Sequence, residues 1–279
     1  MFVRCLFLFL FIGVLEFGLP VAAQDKPPAG PPSAENIPAP RVFEYTGKPL
    51  SLPLECGEED LRAGGLTCTE DEPCPMYLEV TTLEGLANKL VATGNVHSSS
   101  ATLQSILLLS DDAGHTWREV HERIRAGTLD RIQMLDADNA WVAGQVMSPL
   151  PQEPFVLVTS DGGKSWRRRP ILSDSADNRV GSIQQYFFTS KDNGSLILDR
   201  GQGSDSDRYE LYESQDGGDS WTIKETNRKP LQLKRAPTAS TAWRVRADGP
   251  SQSFQLEHRQ GDRWTSTGAF LVKLGVCKL

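Results

Sequence analysis

Three segments of this chain repeat one pattern: Ser110-Asp111-Asp112-Ala113-Gly114-His115-Thr116-Trp117, Thr159-Ser160-Asp161-Gly162-Gly163-Lys164-Ser165-Trp166 and Ser214-Gln215-Asp216-Gly217-Gly218-Asp219-Ser220-Trp221. The common form is S/T-x-D-x-G-x-S/T-W, and an alternating or apolar run precedes each copy. A degenerate fourth echo, Gly261-Asp262-Arg263-Trp264, keeps only the glycine and the tryptophan. The tryptophans lie 49, 55 and 43 residues apart, the period of a repeated supersecondary unit.

Each residue type in the pattern has a local structural task. The short Asp carboxylate accepts hydrogen bonds from backbone N–H groups just ahead of it, which closes a turn. The glycine two residues on supplies a positive φ that a side chain resists. The Ser/Thr hydroxyl bonds the same carboxylate, and the tryptophan opens the next strand as a large apolar plug. The repeat therefore reports architecture and says little about chemistry.

These copies resemble the Asp-box, or BNR, repeat of β-propellers such as sialidases and the photosystem II assembly factor family. The resemblance covers roughly residues 76–274 and weakens in the fourth copy, where Glu257, Arg259 and Arg263 occupy the Ser, Asp and Thr positions. It implies a propeller whose boxes sit on blade-edge hairpins, away from any active site.

The flanking sequence reads as β. Short strand-like runs at 76–82, 90–96 and 106–109 precede the first box, those at 132–135, 140–143 and 155–158 the second, and those at 183–188, 196–198 and 209–212 the third. Weaker runs at 242–245, 254–257 and 270–274 follow. Gly, Asp, Asn and Ser bound these runs and no helical period intervenes, which predicts an all-β chain. Four units of about fifty residues fit a small β-propeller of four four-stranded antiparallel blades, with five as the alternative. Residues 76–279 form this propeller. Residues 41–75 are an irregular, cysteine-containing segment; residues 41–45 alternate as a single strand would, and the segment is a candidate to supply a ring-closing strand.

Residues 1–23 read as a secretory signal peptide, with Arg4, an apolar run over 5–15 and the small residues Val21-Ala22-Ala23. Residues 24–40, rich in proline, form an extended linker. The remaining cysteines, Cys56, Cys68, Cys74 and Cys277, are even in number and suit an oxidising compartment, secreted or periplasmic. Three pairings are open; Cys68–Cys74 as a local loop and Cys56–Cys277 between the chain ends are favoured. The latter would restrict the unfolded chain by about 4 to 5 kcal/mol.

A net charge of −7 excludes a general nucleic-acid binder, and no insertion into a membrane is expected after signal cleavage. Few residues of the chain point to chemistry. The sialidase resemblance implies a six-bladed site with three arginines, a Tyr–Glu nucleophile pair and an acidic donor, and the propeller region is too short for six blades. Glu210 and Tyr212 are the nearest pair, sharing one face of a strand. His97, His115, His121 and His258 are scattered, so neither metal nor cofactor is expected. Lys164 with Arg167, Arg168 and Arg169, joined by Arg123, Arg125 and Arg131, is a candidate basic patch. The expected function is an exported, non-catalytic propeller that binds a protein or envelope component. A sialidase-like glycoside hydrolase or glycan-binding protein is the alternative.

Overall fold

The computed structural model describes residues 42–54, 56–146, 153–172, 181–201, 207–233, 242–249 and 252–277. The expected signal peptide and linker lie outside the described residues. The elements begin with β1 (Leu50–Leu52) and one short helix, α1 (Glu58–Gly64). Next come β2 (Tyr77–Leu86), β3 (Lys89–His97), β4 (Thr102–Ser110), β5 (Arg118–Glu119) and β6 (Ile124–Arg125). A second group is β7 (Gly127–Met134), β8 (Ala140–Val146), β9 (Glu153–Thr159) and β10 (Arg167–Pro170). A third is β11 (Ser182–Phe188), β12 (Gly194–Asp199), β13 (Tyr209–Ser214) and β14 (Thr222–Asn227). The last is β15 (Trp243–Asp248), β16 (Ser253–Gln260) and β17 (Arg263–Leu274).

These strands make four sheets: β2-β3-β4-β5 with β6 also on β4, β7-β8-β9-β10, β11-β12-β13-β14, and β15-β16-β17-β1. In the first three the strands follow chain order from one edge to the other and every pairing is antiparallel. The fourth is completed from the far end of the chain. β1 pairs in parallel with β17, with Leu50 opposite Val272 and Leu52 opposite Leu274. The chain is thus a four-bladed β-propeller closed by its N-terminal strand, a device that hides an edge the last blade would otherwise expose.

Apolar clusters fill the seams between blades. Leu83, Leu90, Ile106 and Leu108 of the first blade pack against Leu256 and Phe270 of the fourth, with Leu52 of the closing strand. Val91, Leu107 and Leu109 meet Leu129, Val142, Phe155 and Leu157 across the first and second blades. Trp141, Val156 and Val158 meet Phe188, Leu196, Leu198 and Tyr212 across the second and third. The middle strands β3 and β4 are buried on both faces, and their near-continuous apolar runs follow from that. Among the described residues no apolar cluster joins the third and fourth blades. The fourth blade's other face carries Glu257, buried and paired with Arg244 at 2.5 Å and Arg246 at 3.1 Å.

Three expectations need correction. Residues 42–45 form no strand. Phe43 is instead held by the buried Gln255 amide, which accepts from its N–H at 2.8 Å and donates to its carbonyl at 3.1 Å. The cysteine segment is not wholly irregular: α1 starts with Glu58, Glu59 and Asp60, acids suited to a helix N-terminus. Finally, the echo at Gly261 and Trp264 is no fourth copy of the turn. The three full copies join the third and fourth strands of their blades, whereas Gly261 joins β16 to β17, the second and third strands, at the opposite end of the blade. Because β1 supplies the fourth strand, the last blade has no third-to-fourth turn to build.

Candidate functional site

The three turns are built alike. In the first, the Ser110 hydroxyl donates to Asp112 Oδ1 at 2.8 Å and accepts from the Gly114 N–H at 2.8 Å. Thr116 donates its N–H to Asp112 Oδ1 at 2.8 Å and its hydroxyl to Oδ2 at 2.6 Å. Thr159, Asp161, Gly163 and Ser165 repeat these four bonds, as do Ser214, Asp216, Gly218 and Ser220. The glycines take φ of 90°, 82° and 94°. Trp117, Trp166 and Trp221 then enter the seams toward the fourth, first and second blades respectively. The hydroxyl of Ser165 leads the bonds that lower the Asp161 carboxyl to about 2. At Asp112 burial is the largest influence and acts upward, but the bonds from Thr116 and Ser110 together outweigh it and bring the carboxyl to about 2. The Ser/Thr hydroxyls, the Asp carboxylates and the Gly N–H groups of the motif are engaged within the turns, so these residues hold the blades.

Groups that the fold leaves accessible occur on the inner strands. In each of the first three blades the ladder between first and second strands slips at the same height, between Val80 and Thr82, Leu129 and Arg131, and Ile183 and Gln185. The extra residues are Thr81, Asp130 and Gln184, all polar and exposed. A bulge leaves one residue out of the ladder and re-aims its side chain. The fourth blade has no such slip.

Neighbouring inner strands are tied at these bulges. Thr81 donates to the Leu129 carbonyl at 2.8 Å, Thr82 to the Asp130 carbonyl at 2.6 Å, and the Arg131 guanidinium to the Gln184 carbonyl. The Tyr186 hydroxyl lies 3.1 Å from the Arg131 carbonyl and 3.0 Å from that of Trp141. Around the axis this leaves Glu84, Asp130, Arg131, Gln184 and Tyr186. Burial pushes the Glu84 carboxyl up to about 7. Burial also raises Asp130, against a bond from Thr128 and the charge of Arg131. The Asp130 side chain is exposed to solvent yet crowded by its neighbours. Burial, then Glu84, raises the Tyr186 hydroxyl, with Arg131 opposing. The Glu84 carboxyl, near 7, can exchange protons near neutrality, and Asp130 beside the Arg131 charge can contact a polar ligand.

The sequence candidates are placed elsewhere. Glu210 and Tyr212 do meet, the phenol donating to Glu210 Oε2 at 2.7 Å. They are only 6 and 4 % exposed, on the third strand of their blade, and Arg200 holds Glu210 at 3.2 Å. That pair is enclosed in the second seam. The arginine run divides by strand alternation. Arg167 and Arg169 reach Asp219 of the third turn, at 3.8 and 2.7 Å, while Arg168 turns the other way to Glu153 at 3.6 Å and covers the Phe155 ring. Lys164 lines a groove of about 540 Å³ with Arg118, Glu119, His121 and Arg123. Arg125 pairs with Glu59, and Arg131 belongs to the axis. Arg167, Arg168 and Arg169 thus each have an acidic partner. Among the described residues no group of three or more His, Cys, Asp or Glu is placed to hold a metal.

The axial set was missed in the sequence, although a signal is there. Thr81-Thr82, Asp130-Arg131 and Gln184-Gln185 are adjacent polar pairs that break the alternation of otherwise apolar strands.

No family model matches the chain, and no curated protein matches it. Among solved structures, the chain is similar to the phage phi92 endosialidase, at 10% identity over 69% of this chain and 43% of that one, TM-score 0.41. A protein of unknown function from Dyadobacter fermentans is similar at 15% identity over 70% and 60%, TM-score 0.39. A GH74 xyloglucanase from Xanthomonas campestris is similar at 15% over 64% and 25%, TM-score 0.36. The chain spans between a quarter and three fifths of the length of these proteins. The likeness is one of fold, and no residue role is carried across from it.

Proposed function

We propose that this chain is an exported, non-catalytic propeller of the BNR type that binds a protein or envelope component through the axial side chains of its first three blades. The observation that carries the reading is the bulge repeated in three blades. Each gives up regular ladder pairing, and the residues so displaced are polar and exposed. Asp130 and Arg131 are the side chains most available for contact. The two disulfides favour a secreted or periplasmic site of action. The test is capture from envelope and culture-medium extracts with wild type, Asp130→Asn and Arg131→Ala, and with Arg168→Ala as an off-axis control. A component lost only with the axial variants supports the reading; capture indifferent to them contradicts it.

A second reading, a glycan-binding or glycan-cleaving propeller, is favoured by the Glu84 carboxyl raised to about 7, since the acid in glycoside hydrolysis must be protonated near neutrality. It is tested on a panel of sialosides and related glycosides. Turnover abolished by Glu84→Gln or Asp130→Asn supports it. Loss with Glu210→Gln alone returns attention to the enclosed Tyr–Glu pair.

A further inference from the structure

The disulfides Cys56–Cys277 and Cys68–Cys74 meet in one small cluster beneath α1, with Leu61, Leu66 and Met76. Cys74 and Cys277 belong to different disulfides yet face each other across an antiparallel bridge. The Cys74 N–H donates to the Cys277 carbonyl at 3.0 Å and the Cys277 N–H to the Cys74 carbonyl at 3.4 Å. Residues opposed in this way stand about 5.5 Å apart at Cα, within the span of a disulfide. Cys68 and Cys277 are buried, while Cys56 and Cys74 are partly exposed.

We propose that this cluster is a thiol-exchange site, entered at Cys74, which transfers the covalent tie of the C-terminal segment from Cys56 to Cys74. An external thiolate attacks Cys74 Sγ, forms a mixed disulfide there and expels Cys68 as thiolate. Cys68 attacks Cys56 Sγ, forming Cys56–Cys68 and expelling Cys277. Cys277 attacks Cys74 Sγ across the bridge, forms Cys74–Cys277 and releases the external thiol unchanged. Two disulfides exist before and after, no net oxidation occurs, and the thiol is a catalyst. Cys56 lies four residues beyond β1, whereas Cys74 precedes the first blade. The transfer therefore leaves β1 held on β17 by its ladder and side-chain packing, without the adjacent covalent clasp.

The approach to Cys74 is acidic, with Glu70, Asp71 and Glu72 exposed just before it in the chain. Such a field repels anionic thiols and draws cationic ones, so the reagent class is a small cationic thiol.

The experiment incubates the purified mature protein in a cysteamine–cystamine buffer and, in parallel, in a glutathione buffer of the same ratio. Acid quenching and peptide mapping follow; Arg62 and Glu72 provide cleavage points between the cysteines. Expected are peptides linked 74–277 and 56–68, forming several-fold faster with cysteamine. Only the original pairs, or reduced thiols without new pairs, would overturn the exchange; equal or faster reaction with glutathione would overturn the reagent class. Cys56→Ser gives a second test. Cys74–Cys277 should form and leave Cys68 as the thiol that alkylates after denaturation, whereas an intact Cys68–Cys74 with free Cys277 would contradict the proposal.

Discussion

Trp141 lies flat on Phe188, with ring centroids 3.9 Å apart and planes within 5° of parallel, while its indole N–H donates to the Gly217 carbonyl at 2.8 Å. One side chain thereby packs the second blade on the third and anchors the third turn. Trp141→Phe keeps the stack and loses the bond, and should cost about 1 kcal/mol. Trp141→Ala also leaves a cavity and should cost about 3 to 5 kcal/mol. Urea unfolding of both variants reads the difference, and equal losses would show that the bond, not the packing, dominates.

Asp161 braces its turn with three side-chain and backbone bonds from Thr159 and Ser165. Asp161→Ala should destabilise by about 1 to 3 kcal/mol. The pH dependence follows from the lowered carboxyls of Asp112, Asp161 and Asp216. Their stabilisation is fully present above the unfolded value near 4 and is lost as pH falls through the lowered folded values, about 2 for Asp112 and Asp161. Unfolding between pH 4.5 and 2 should steepen in wild type, and its slope should shrink when all three are changed to Asn.

Ala113 sits at φ 58°, where the equivalent residues Gly162 and Gly217 sit at 76°. A side chain in the left-handed region costs about 1 to 2 kcal/mol, and glycine returns roughly half of that gain through its freer unfolded chain. Ala113→Gly should therefore raise stability by up to about 1 kcal/mol in thermal melts. A clear loss would mean that the methyl group has a packing role.

Glu84 behaves in the opposite sense to the turn aspartates. Its folded carboxyl is raised from 4.5 to about 7, so its contribution is present below pH 4.5 and lost as pH rises through 7. Relative to wild type, Glu84→Gln should gain about 1 to 2 kcal/mol on going from pH 5 to 8, after allowance for partial solvent contact. A constant difference across that range would place Glu84 in open solvent.

Much of the fold was legible because the repeat carries its own physics. Ser110, Asp112, Gly114 and Thr116 need only one another to make their turn, so spacing alone announces it. The closing strand was harder, since Leu50, Ser51 and Leu52 earn their place from a partner more than 200 residues away and have no local signature. Trp264 misled because a glycine followed by a tryptophan also suits an ordinary hairpin. The axial site was least legible. Asp130 and Gln184 become distinctive only when a register slip turns them out of their ladders, and a slip is a property of the paired strand. Conversely, Glu210 and Tyr212 satisfied the spacing rule and proved to be enclosed, because spacing fixes a shared face without saying what covers it.

The first strand, β1, closes the ring on β17. Hydrogen exchange followed by mass spectrometry on peptides spanning Leu50–Leu52 and the end of β17 tests it most directly. Slow exchange is expected at both sites, in the same class as β3 and β4. Leu50–Leu52 exchanging at unprotected rates while the first blade stays protected would contradict it.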